Sequence, residues 1–160
     1  MNSNENHSSL TPNPSSPRMG SLPRGLRLNN PCCLTHGRSE WQGKSAVQPD
    51  PKFVKFDSLA YGYRAAFKVM NRYHYWYKLQ TVHDIMHRFA PTYDNNNTQQ
   101  YIDIICKFVG VEPHEVLLAP PDDQVLWSKF LTIITKVEQG IDIKEVDQEA
   151  IAEGYQMAFS

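Results

Sequence analysis

The sequence predicts a mainly α chain with a small loop-and-strand portion at its front. Apolar residues recur at three- to four-residue spacing over most of the chain after Ser58, and helix caps with glycine or proline stops punctuate that stretch. The segment Phe53-Val54-Lys55-Phe56 alternates with the period of a strand, and no second strand is clear, so any sheet is small. A chain of 160 residues with 41% hydrophobic and 11% aromatic content has the length of one domain and the material for a core.

The elements follow in order. Residues 1–22 are rich in Ser, Asn and Pro, lack the apolar centre of a signal peptide, and are expected to be a disordered tail before a single domain at 23–160. The run "RGLRLNNPCCLTHGRSEWQG" (24–43) has no helical or strand period, yet it concentrates Arg24, Gly25, Asn29, Asn30, Pro31, Trp41 and Gly43. Asn29 and Asn30 are suited to ordering a turn through side-chain-to-backbone hydrogen bonds, and Trp41 to anchoring it on the helices.

Asp57 or Ser58 can cap a first long helix, whose residues Leu59, Ala66, Met70, Tyr73 and Tyr77 share a buried stripe reaching about Lys78. Thr81 caps a second helix carrying Val82, Ile85, Met86 and Phe89, with Asp84 in the third position of a capping box and Pro91 as the stop. Thr98 caps a third with Tyr101, Ile102 and Ile105, ended by Gly110. Pro113 opens a short turn through Val116 and Leu117. Asp122 caps a longer helix bearing Leu126, Phe130, Ile133, Ile134 and Val137, which Gly140 ends, and a last helix runs from about Lys144 to Met157.

The formal net charge of −1 leaves no broad basic footprint, so nucleic acid is not an expected partner. No apolar run approaches the roughly 18 residues that cross a bilayer. Cys32, Cys33 and Cys106 lack ligand spacing and read as reduced thiols, Cys106 on an apolar helix face. His83 and His87 in "HDIMH" are four apart on a helix, but Asp84 is one carbon shorter than the glutamate a zinc protease needs, and no third ligand is evident. They read as solvated-face histidines, and neither a metal nor a cofactor is expected. The aromatic run "YHYWY" (73–77) reads as core packing or as a stacking surface. The loop "APTYDNNNTQQY" reads as turn chemistry or as a ligand-facing loop with one carboxylate, Asp94. Phosphate loops and serine-hydrolase elbows have no support.

The ordered series Arg24-Gly25-Leu26-Arg27, Asn29-Asn30-Pro31, Trp41-Gln42-Gly43, Phe53 with Phe56, Gly62 with Arg64-Ala65, Arg88 with Ala90-Pro91, Asn95 or Asn97 with Thr98, Tyr101, and Val137-Glu138-Gln139-Gly140 resembles a family of phage and prophage structural, or virion, proteins. Members typically begin "RG(I/L)RNNNPxNIR", continue through "WQG" and "RWAPPxENxT", and end near "FEQG". The likeness covers about residues 24–140. Leu28, Cys33, Thr35, Phe89 and Asp94 depart from the pattern.

The front half also resembles peptidoglycan glucosaminidases and lytic transglycosylases, which implies a lysozyme-like helical domain with a small loop or β lobe lining a glycan groove. It implies substrate-binding roles for Asn29, Asn30, Trp41, Tyr93, Asn95, Asn97 and Tyr101. Such enzymes place a protonated acid at the end of a helix ahead of that lobe; here only Glu5 precedes it, in a segment that cannot form such a helix. Glu40 and Asp94 remain as the catalytic carboxylates. Three readings stay open: a peptidoglycan-engaging protein that cleaves the glycan strand, a non-catalytic virion or wall-associated protein of the same fold, and an unrelated adaptor. The implied partners are glycan strands or virion proteins, with synthesis in the cytoplasm followed by virion association or release to the wall.

Overall fold

A computed structural model describes residues 22–160. The expected tail lies outside the described residues except for Leu22, which is half-exposed. Among the described residues six α-helices carry the architecture: α1 (Arg24–Arg27), α2 (Leu59–Tyr75), α3 (Val82–Phe89), α4 (Thr98–Val109), α5 (Gln124–Gln139) and α6 (Gln148–Phe159). The chain is mainly α, as its periodicity predicts.

Each helix after α1 starts where a side-chain oxygen meets an orphan N–H. Ser58, Thr81, Asn97, Asp123 and Asp147 accept from the backbone N–H groups of Tyr61, Asp84, Gln100, Leu126 and Ala150. Gly110 and Gly140 end α4 and α5 in left-handed backbone.

Several expected boundaries move by a residue or more. Asn97 caps α4 because the Thr98 hydroxyl is drawn inward to the Ala90 carbonyl. Asp123 caps α5 because Pro120–Asp122 forms a 3-10 turn. The last helix starts at Gln148 rather than Lys144, since Ile143–Glu145 is a separate turn in which Glu145 accepts from the Asp142 N–H. Asp84 completes no capping box; its carboxylate binds His83 Nδ1 at 3.0 Å. Pro113 begins a turn whose carbonyl accepts from the His83 N–H, and Leu117 bonds back to Gln80.

The main core gathers Phe67 and Met70 of α2, Ile85 and Phe89 of α3, Ile102 and Ile105 of α4, Trp127, Phe130 and Ile134 of α5, and Ile151 of α6. Helix α6 lies along α2 because Gly154 presents no side chain there: a Cβ would sit 2.7 Å from Tyr63 Cβ and 2.8 Å from the Ala60 carbonyl. Two polar side chains of this core are matched by close partners. Tyr63 Oη meets Thr135 Oγ1 at 2.8 Å, and Trp127 Nε1 donates to the Leu118 carbonyl at 2.9 Å.

The front lobe, residues 22–58, corrects the expectation of a strand at 53–56. Among the described residues it holds only two isolated bridges, Thr35 with Phe53 and Lys44 with Phe56. The backbone there is extended, but side chains take over most of the work of a second strand. The wholly buried Asn30 carboxamide donates to the Leu34 and Val54 carbonyls at 2.9 and 2.8 Å and accepts from the Leu34 N–H at 2.9 Å. Asn29, in left-handed backbone, donates to the Phe56 carbonyl at 3.0 Å. Gln48 both donates to and accepts from the Lys55 main chain. Asp50 accepts from the Lys52 and Phe53 N–H groups and closes a bidentate pair with Arg24 at 2.7 and 2.8 Å.

Two contacts dock this lobe. A Cβ on Gly62 of α2 would stand 2.1 Å from the Asn29 carbonyl, so only glycine lets the loop lie on the helix. From α5, the buried Gln139 amide donates to the Pro31 carbonyl at 2.9 Å and to Cys33 Sγ at 3.3 Å. Cys32 and Cys33 are wholly buried and outside any disulfide, and burial together with the Glu138 charge pushes the Cys32 thiol far above its ordinary range.

Replacing Asn30 with Ala orphans the buried Leu34 N–H and Val54 carbonyl and leaves the Leu34 carbonyl only its bond from the Val54 N–H, so a loss of about 3 kcal/mol is expected from urea unfolding. The Arg24 guanidinium, aided by the Phe53 and Lys52 N–H groups and opposed by burial, holds the Asp50 carboxyl well below the usual carboxylate range. A depressed folded-state pKa gives stability that is full at neutral pH and fades as pH falls below about 4. Asp50→Asn therefore costs most at neutral pH, and its difference from the parent in urea midpoint shrinks on acidification.

Candidate functional site: an arginine and aromatic groove

Between the front lobe and the helices runs a groove of about 420 Å³. One wall is the strip Leu34–Trp41, held in place by the His36 N–H to the Lys52 carbonyl (3.0 Å) and by His36 Nε2 against the Asp50 carbonyl (2.8 Å). The other wall is the last turns of α2, supplying Val69, Arg72 and Tyr73, with Tyr77 just beyond its end and Arg88 from α3.

The arginines are set by ring faces. Arg72 lies 5.7 Å from the Trp41 ring and 5.2 Å from that of Trp76, and donates a long 3.5 Å hydrogen bond to Ser39 Oγ. Arg88 lies 3.8 Å over Tyr77 and 5.5 Å from Tyr73. A guanidinium on a ring face keeps its N–H edge available for an acceptor, so stacking fixes the cation without neutralising it. Arg38, exposed on the loop wall, adds a third guanidinium. Burial pushes the Tyr73 phenol up to about 12, with Arg88 pulling the other way, so it stays protonated at neutral pH.

Two further hollows adjoin the groove. One of about 510 Å³ shares Tyr73 and Arg88 and adds His87 and Tyr93; a smaller one of about 180 Å³ shares Arg72 and adds Lys68, Tyr75 and Trp76. Among the described residues lining all three, none is a carboxylate. The arrangement therefore attracts anionic or hydrogen-bond-accepting groups and offers rings for them to lie against.

The residues expected to serve a site divide sharply. Trp41 lines the groove and Tyr93 its extension, with Tyr93 86% exposed. Asn30 and Tyr101 are buried in the interior instead. The Tyr101 hydroxyl donates to Glu138 Oε2 at 2.9 Å, and burial together with that carboxylate keeps the phenol protonated. Asn29 spends its amide on Phe56, Asn97 caps α4, and Asn95 takes the left-handed position after the turn Thr92–Asp94. Glu40 is exposed beside Trp41, and Asp94 is half-buried in that turn; neither lines the groove.

The aromatic run is only partly core. Tyr73 is buried, but Tyr77, expected on the same stripe, is 45% exposed because α2 stops at Tyr75 and Lys78 turns the chain in left-handed backbone. The His83 and His87 rings lie tilted against each other with centroids 4.4 Å apart, and the His114 ring lies tilted against that of His83 at 4.5 Å. No group of three His, Cys, Asp or Glu side chains among the described residues is placed to hold a metal ion. No helix among them is long and apolar enough to cross a membrane.

Sequence reasoning missed Arg72 and Arg88 as site residues. Their signal was the arginine standing directly before "YHYWY" and another on the exposed side of α3. It also missed the buried Glu138, whose only signal is its place between Val137 and Gln139 near the end of an apolar helix.

No family model matches the chain. Over 97 residues it is 31% identical to Protein P5 of Pseudoalteromonas phage PM2, an alignment that covers 59% of this chain and 60% of that protein. The chain is thus similar to a phage protein, and the match spans less than two thirds of the relative's length.

The division between interior and groove is measurable in urea. Tyr101→Phe leaves a buried carboxylate short of a donor and should cost about 2 kcal/mol, whereas Tyr93→Ala should stay within about 0.5 kcal/mol of the parent.

Proposed function

We propose that this is a phage- or prophage-derived virion structural protein, in which residues 23–160 form one lysozyme-like domain that binds through the arginine and aromatic groove and does not cut glycan. The observation that carries this reading is the lining of the groove: guanidinium groups, rings and histidines, with no carboxylate among the described lining residues. Similarity to a phage protein supports the origin. The helical body with a loop lobe docked across it, and a groove between, supports the lysozyme-like arrangement.

Cleavage of a glycosidic bond needs a protonated carboxylic acid within hydrogen-bond reach of the leaving oxygen. Glu40 lies in solvent outside the groove, Asp94 is held in a turn beyond it, and Glu138 is sealed in the core against Tyr101. The partners are other components of the particle, and the protein is made in the cytoplasm of the producing cell before incorporation.

Particles purified through a density gradient should contain the chain at a fixed ratio to the other coat components. Purified protein should give no clearing on a peptidoglycan zymogram, with Glu40→Gln and Asp94→Asn indistinguishable from the parent. Clearing lost in either variant would replace this reading with the glycan-cleaving one. Absence from particles would remove the structural role.

A further inference from the structure

The near-neutral net charge conceals a division along the chain. Residues 22–110 hold twelve Lys and Arg against six Asp and Glu, whereas residues 111–160 hold ten acidic residues against three basic ones. The fold sets half of those acids, the five between Asp142 and Glu153, apart from the groove, while Asp122 lies near His74 and Glu112 and Glu115 flank the turn packed on His83. Gly154 of α6 sits against Ala60, Tyr63 and Arg64 of α2, and Tyr155 and Phe159 meet Phe67, so α6 runs alongside α2 in the same direction. The start of α6 therefore lies toward the Ser58 end of α2, and the groove around Arg72 and Tyr77 lies at the other end. Ala60 and Arg72 alone are about 18 Å apart along the helix axis at 1.5 Å per residue.

The acidic end is exposed and ordered. Asp142, Glu145, Asp147, Glu149 and Glu153 all face solvent within twelve residues, with Lys144 the one basic residue among them. Glu149 and Glu153 stand one turn apart on the same face of α6. Opposite charges this far apart cannot satisfy each other within one chain. Between copies they can, and different patches at opposite ends of one molecule make a head-to-tail contact that propagates into a ring or a filament.

We infer that the groove receives the acidic α6 end of a second copy of this chain, with Arg38, Arg72 and Arg88 meeting carboxylates from the 142–153 segment and Trp41 and Tyr77 covering its apolar stems. This deepens the structural role proposed above, since a repeating particle component needs a contact that two unlike surfaces of one chain supply. Charge steers the encounter, so association weakens as salt rises.

The test uses the full chain in sedimentation velocity across concentration, at low and high salt. The parent should form concentration-dependent oligomers that dissociate with salt. Arg38→Glu/Arg88→Glu, both at exposed positions, and Glu149→Lys/Glu153→Lys should each weaken association by about tenfold or more. The neutral pair Glu149→Gln/Glu153→Gln should weaken it less, which separates charge loss from misfolding, and circular dichroism should show the parent helix content in all. Mixing the groove variant with the α6 variant restores complementary charge at both contacts, arginine against glutamate and glutamate against lysine, so oligomers should reappear where each alone is monomeric. A parent that is monomeric throughout, oligomers unmoved by either variant, or a groove that retains isolated sacculi or an oligonucleotide while the chain stays monomeric would each overturn the inference. A monomeric chain still found in particles would overturn this contact and leave the structural role standing.

Discussion

The buried carboxamide of Asn30 is the interaction on which the front of this molecule depends. It reaches two carbonyls and one N–H on segments that share no strand ladder, and so welds Leu34 to Val54 across the lobe. An amide can do this because it carries donors and an acceptor on one rigid plane. Burial makes the arrangement exclusive, since no water competes inside. Everything forward of α2 inherits its position from that plane, including the loop strip that forms one wall of the groove.

The second constraint is how closely the lobe approaches the helices. Gly62 lets the Asn29 carbonyl touch α2, and the Gln139 amide, reaching from the end of α5, takes the Pro31 carbonyl. The second contact joins residues 108 positions apart, so the groove exists only once α5 has packed. Its arginines are preorganised by the same logic: Arg72 and Arg88 rest on rings already fixed by the termination of α2 and by the turn at Lys78.

Much of the helical body was legible because its signals are local. Caps at Ser58 and Thr81, stops at Gly110 and Gly140, and the apolar stripes of α3 and α5 are set within a few residues. Boundaries slipped where two candidate caps sat side by side, as at Asn97 and Thr98 or Asp122 and Asp123, since tertiary demand chose between them. The strand at Phe53–Phe56 misled because alternation reports burial on one face, and here side chains rather than a neighbouring strand satisfy much of the backbone. The site was less legible than the fold. Paired asparagines look alike whether they face a ligand or a carbonyl, and nothing local distinguishes Tyr101 in the core from Tyr93 in solvent. Arg72 and Arg88 became partners only through the packing of α3 beside the end of α2.

The adjacent thiols at Cys32 and Cys33 carry a consequence for how the lobe is held together. Both are enclosed by the lobe, Cys33 receives the Gln139 amide, and Cys32 resists ionisation. Thiolate, not thiol, is the species that oxidants and disulfides attack. These two thiols form no cross-link and are poorly placed to acquire one, so the lobe keeps its shape through hydrogen bonds and packing alone.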